Sequence, residues 1–60
     1  MILSLPKDPV MLLSVINTSL RDYYDSLSEL CINIGVMESD LCAKLATIDY
    51  YYDEEENQFI

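Results

Sequence analysis

The sequence predicts a mostly α fold: a compact three-helix, helix-turn-helix-like domain with extended N- and C-terminal segments and a short strand pair. Three observations lead there. Apolar residues recur at 3.6-residue spacing in three separate stretches. Asp8-Pro9 and Gly35 stand where a helix start and a helix stop belong. The runs Ile2 to Leu5 and Tyr50 to Tyr52, near the two ends, favour extended backbone instead.

The first helix starts at Asp8-Pro9. The Asp side chain is suited to accept from unpaired backbone N–H groups, and Pro at the first helical position loses nothing by lacking its own. No Gly or Pro interrupts from there to about Tyr24. Leu12, Leu13, Ile16, Leu20, Tyr23 and Tyr24 gather on one side, with Ser14, Thr18, Arg21, Asp22 and Asp25 opposite. A second helix starts at Ser26-Leu27-Ser28-Glu29, which has the Ser-x-x-Glu form of a capping box. Leu27, Leu30, Cys31 and Ile34 share its inner face, and Gly35, the only glycine, suits the left-handed residue that ends it. The third helix runs from about Glu38 to Ile48, with Leu41, Leu45 and Ile48 inward and Cys42 and Ala46 flanking. Glu38 and Asp40 occupy its first turn, where the helix dipole favours negative charge.

Beyond it the pattern stops being helical. The tyrosine run is expected to pair with the N-terminal stretch Ile2 to Leu5, which Pro6 cuts off. Asp53 to Glu56 reads as a solvated acidic turn, and Phe59-Ile60 as an apolar anchor that docks back. No repeat or low-complexity linker divides the chain, so residues 1–60 form a single domain.

Composition narrows the function classes. Conformational entropy opposes folding by roughly 1.5 kcal/mol per residue, so a chain of 60 residues must bury a large share of its apolar side chains. At 52% hydrophobic it has the material, and more than a monomer of this size easily hides, which predicts self-association. Eleven acidic against three basic residues give a net charge of -8. Nucleic acid and anionic membranes repel such a chain, whereas a protein partner with a basic surface attracts it. Ser4, Pro6, Lys7 and Asp8 break the early apolar residues before a signal peptide or membrane span can form. A cytoplasmic protein is therefore expected, with Cys31 and Cys42 as reduced, buried core residues.

The stretch LSELCINIGVMESDL raises the question of DNA reading. Leu30, Ile34, Gly35, Val36 and Leu41 suit a helix-turn-helix scaffold, and Cys31 stands where a small residue is wanted. The residues that would face a major groove, Met37, Glu38, Ser39, Cys42 and Ala43, include no Arg, Lys, Asn or Gln, and only Lys44 is placed to touch a phosphate. A degenerate helix-turn-helix contacting nucleic acid within a complex is thus the alternative function, not the first.

No catalytic residue is expected. The chain has no His, neither Cys has a general base visible in sequence, and so short a chain leaves little room for a pocket of the usual size, roughly 300 Å³ or more. No metal and no cofactor are expected either. Asp53-Glu54-Glu55-Glu56-Asn57 lacks the glycine and spacing of a calcium loop, and two Cys without His are too few for zinc.

The leading function is protein binding, self-association as a two-fold dimer included. Met11 and Val15 lie outside the core-facing arc of the first helix, four residues apart, and with Ser19 they form a strip on which another helix could sit closely. The competing reading has Ile2 or Leu3 cover this strip within one chain. Tyr51 and Phe59 form the second candidate interface. Against that, Tyr50 and Tyr52 would simply cover the open end of the core while Tyr51 faces outward.

Taken together, LPKDPVMLLSVINTSLRDYYDSLSELC and DYYYDEEENQF resemble a small bacterial family catalogued as domain of unknown function 4250. The most distinctive elements are Leu5-Pro6-Lys7-Asp8-Pro9, Asn17, Leu20-Arg21-Asp22, Leu30-Cys31, Tyr52-Asp53 and Asn57-Gln58-Phe59. Asp49 departs from the pattern, in which a Gly-Tyr pair is typical. The resemblance implies a small stand-alone bacterial protein inside the cell and brings no activity, cofactor or site residue with it.

Overall fold

The computed structural model describes residues 5–60. Its elements are α1 (Pro9–Asp22), α2 (Leu27–Ile34), α3 (Glu38–Ala46), β1 (Tyr52–Asp53) and β2 (Gln58–Phe59). The three-helix class with a short strand pair is thus the one observed. No helix of the described residues is long and apolar enough to cross a membrane.

Each helix boundary has a local cause, though not always the expected one. Asp8 is extended and its carbonyl accepts the first intrahelical bond, from Leu12 N–H at 2.9 Å, but its side chain caps nothing. Pro9, preset for helix, carries the start. At the other end α1 stops at Asp22, two residues earlier than expected. Tyr23 and Tyr24 N–H both turn back to Ser19 C=O, at 2.8 and 3.2 Å. The chain leaves the helical path there, so Tyr23 is 78% exposed instead of joining the core stripe, while Tyr24 stays packed against it.

The α2 start forms one arm of the capping box: Ser26 Oγ accepts from Glu29 N–H at 3.2 Å. The neighbouring donor, Leu27 N–H, goes to the Tyr52 hydroxyl at 3.3 Å, a tertiary partner that no local motif announces. Gly35 ends the helix in the left-handed region, φ 75° and ψ 38°, and both Gly35 and Val36 N–H bond Cys31 C=O. The end of α3 repeats this solution without a glycine. Tyr50 N–H reaches Leu45 C=O and Asp49 N–H reaches Ala46 C=O, both at 3.0 Å, with Asp49 at φ 64°. That is a Schellman closure, and it places Ile48 at the last helix-like position. Asp49 accepts the left-handed backbone because its short polar side chain lowers the steric cost that other residues meet there.

The strand pair observed lies within the tail, and the expected pairing with Ile2 to Leu5 falls mostly on residues outside those described. β1 pairs antiparallel with β2 in the register Tyr52 to Phe59 and Asp53 to Gln58, so the tail folds on itself. Of the N-terminal stretch Ile2 to Leu5, residues 2–4 lie outside the described residues, and Leu5 packs against the core without being in a strand. The hairpin needs only the four-residue turn 54–57 to close, a short loop with little closure entropy.

The core draws Leu12, Ile16 and Leu20 from α1, Leu27, Leu30 and Cys31 from α2, Leu41 and Leu45 from α3, and Phe59 from the hairpin. Phe59 is 1% exposed and its ring meets Tyr52 at 5.6 Å between centroids, tilted by 54°. A ring so buried contributes about 2–3 kcal/mol of hydrophobic stabilisation. The hairpin is therefore the lid of the helical core.

Candidate functional site

What positions this lid is a seam of side-chain amides along α1. Tyr51 and Ile60 exchange both backbone bonds, at 2.9 Å each, which makes the next pair, Tyr52 and Phe59, a non-hydrogen-bonded one. Phe59 N–H and C=O therefore point away from β1, toward α1. Asn17 meets both: its Oδ1 accepts from Phe59 N–H at 2.8 Å and its Nδ2 donates to Phe59 C=O at 3.1 Å. The amide acts as a peptide unit of a third strand. Two residues earlier, Asn57 Nδ2 donates to Leu20 C=O at the end of α1 and to Tyr24 C=O just beyond it, at 3.1 and 3.0 Å, satisfying both. Its Oδ1 accepts from the Tyr52 hydroxyl at 2.6 Å, and the same hydroxyl accepts from Leu27 N–H. Asn57 sits at φ 53°, a left-handed turn position that Asn tolerates.

These amides were not singled out chemically by sequence reasoning. Asn57 carried a signal, since Asn favours the left-handed position of hairpin turns. Asn17 carried a weaker one: an amide beside the apolar stripe in mid-helix lowers helix propensity and needs another reason to be there.

The proposed interface residues fall on different sides of α1. Met11 is 59% and Val15 37% exposed, one turn apart, and Ser19 is half-buried. At 100° per residue this strip lies on the flank away from Asn17 and hence away from the hairpin. Tyr51 is 59% exposed on the outer face of the hairpin, beside its pairing partner Ile60 at 54%. Phe59 does not join Tyr51 at the surface: successive residues of a strand face opposite ways, and its ring is core. Tyr52 is half-buried against that core, while Tyr50 is on the edge of exposure.

Two concavities are larger than chain length suggests. A half-open groove of about 380 Å³ has Leu12, Val36 and Leu41 as apolar walls and Met37, Asp40 and Lys44 among its lining, between the start of α1 and the Gly35 corner. A polar cleft of about 310 Å³ lies between β1 and the start of α2, lined by Asp25, Ser26, Leu27, Ser28, Glu38, Tyr52 and Glu54. Ser28 Oγ donates to Glu38 there at 3.3 Å.

The electrostatics are simple. Arg21 grips the carboxylate of adjacent Asp22 through Nε and Nη2, at 2.9 and 3.2 Å, and this hydrogen bonding holds Asp22 below the usual carboxylate range. It leaves the acidic turn unneutralised by Arg21. Asp53 Oδ1 instead accepts from Glu55 N–H at 3.0 Å, a local turn bond. Cys31 is buried and Cys42 half-buried, both as free thiols. Burial first, then the charge of Glu38, pushes both thiols up, and Cys31 is raised further by Cys42. Among the described residues no group of three or more His, Cys, Asp or Glu side chains is disposed to hold a metal ion.

No curated protein and no solved structure matches the chain. One family does, described as a domain of unknown function (DUF4250), over residues 6–59. That span includes the whole α1-to-hairpin fold together with Asn17, Tyr52, Asn57 and Phe59, and the chain belongs to this family.

Proposed function

We propose that this chain acts by binding protein, itself included, as a small acidic homodimerising module. The observation that carries the reading is the exposure of Met11 and Val15 on the flank of α1, next to half-buried Ser19. Adjacent apolar side chains on an otherwise polar helix flank lower their free energy by packing against another helix, and a small residue one turn on lets that helix approach. The free thiols suit the reducing cytoplasm, and a bacterial host fits the family resemblance. Sedimentation across micromolar concentrations tests the dimer: a two-fold mass is expected, with Met11→Glu shifting it to the monomer. A monomer mass at every concentration would sink the proposal. A dimer indifferent to Met11→Glu moves the interface to Tyr51 and Ile60.

The alternative, a degenerate helix-turn-helix that contacts nucleic acid within a complex, draws on the α2–Gly35–α3 corner. Charge opposes it, since Glu38 and Asp40 open α3 and Lys44 is its sole basic residue. Titration of random duplex DNA at low salt separates the two: the protein-binding module leaves the DNA free, whereas a phosphate-contacting protein binds and weakens steeply as salt rises.

A further inference from the structure

The hairpin has two edges, and among the described residues only one is closed. Phe59 turns its N–H and C=O to Asn17, so β2 is capped by α1. By the same alternation Tyr52 turns its N–H and C=O the other way, off the outer edge of β1. Among the described residues neither group has a hydrogen-bond partner. Tyr52, and Glu54 in the turn just past the end of β1, also line the polar cleft, whose far wall is the start of α2. Tyr52 thus joins this edge to the channel, a cleft of about 310 Å³.

From this geometry we propose that the outer edge of β1 docks an extended, lysine- or arginine-bearing segment of a partner protein by strand addition. The proposal rests on the protein-binding reading and names its second partner. Backbone pairing to Tyr52 supplies the anchor, as in other cases where a peptide extends a sheet. Charge selects the occupant: Asp25, Glu38 and Glu54 line the channel, and none of its lining residues is basic. The ion pair of Arg21 is with Asp22, outside this lining. A second copy is a poor occupant, because it would bring a chain of net charge -8 to a cleft lined by Asp25, Glu38 and Glu54. Nucleic acid is a poorer one.

The test is a titration of the full-length, isotopically labelled chain with a short acetylated peptide alternating lysine and valine, followed by amide resonances and hydrogen exchange. At low ionic strength the Tyr52 and Glu54 amides are expected to shift and Tyr52 exchange to slow. Affinity should fall about tenfold or more as salt screens the channel. A glutamate–valine peptide should not bind. The full chain synthesised with an N-methyl group on Tyr52 keeps the bonds among the described residues, because that N–H makes none of them, and should bind about tenfold more weakly. Glu54→Gln with Glu38→Gln should weaken binding and flatten its salt dependence. Absence of binding at low salt overturns the proposal, as does binding that leaves Tyr52 exchange unchanged. If the N-methyl chain loses its circular dichroism, Tyr52 exchange in the unmodified chain decides. A dimer in sedimentation with no peptide binding removes this edge alone and leaves the self-association reading in place.

Discussion

Replacing Asn57 should cost this protein a large part of its stability. The side chain makes three hydrogen bonds, to the Tyr52 hydroxyl and to the carbonyls of Leu20 and Tyr24, in a partly buried setting. At about 1 kcal/mol net for each, Asn57→Gly loses about 3 kcal/mol, offset by up to about 1 kcal/mol because Gly adopts φ 53° without strain. The expected net loss is about 2 kcal/mol. A domain of 60 residues has on the order of 3–9 kcal/mol in all, by the usual stability per residue. Asn57→Ala keeps the same losses and adds the left-handed penalty of a Cβ, so it should be worse than Asn57→Gly by about 1 kcal/mol. Urea unfolding followed by far-UV circular dichroism measures each variant. Tyr52→Phe removes the shared hydroxyl, and the double variant with Asn57→Gly should lose less than the sum, since both changes break the same bond. Asn57→Gly within about 0.5 kcal/mol of the parent, or strictly additive losses in the cycle, would show that the seam does not hold the hairpin.

Asp49→Gly should stabilise by about 1 kcal/mol, raising the urea midpoint, because Gly adopts φ 64° freely and the change removes a negative charge from the end of α3. An unchanged or lower midpoint would mean that the Asp side chain holds this turn by an interaction of its own. A bulky thiol reagent should label the native protein slowly, Cys31 more slowly than half-buried Cys42, and both should label quickly after denaturation. Both thiols are raised on folding, so the neutral forms favour the folded state below the unfolded thiol pKa, and stability falls as pH rises through the folded values. A stability curve flat across the alkaline thiol range would contradict their burial. Changing Glu54, Glu55 and Glu56 together to Gln should leave stability within about 0.5 kcal/mol or raise it, as expected for exposed, self-repelling charges; a large loss would reveal a specific pairing or a bound cation.

The helices were legible because their causes are local. The 3.6-residue recurrence of Leu12, Ile16 and Leu20 marks a buried stripe in any surroundings, Pro9 begins a helix by its own ring, and Gly35 ends one by lacking a side chain. The net charge of -8 likewise belongs to the chain itself. The candidate interface was half legible: periodicity alone put Met11 and Val15 off the core face, but it could not tell that Phe59 points inward and Tyr51 outward. That depended on the strand register, and the register depended on the partner. Tyr50 to Tyr52 favour extended backbone wherever they are, yet what they pair with was decided by the short turn 54–57 and by two amides on distant stretches of chain. Asn17 lies 42 residues from Phe59, and Asn57 lies 37 from Leu20. Hydrogen bonds at such separations have no periodicity to announce them. They exist only once the helices have packed and left the backbone of Phe59 and the end of α1 without water, and it is this loss of solvent that gives the two amides their role.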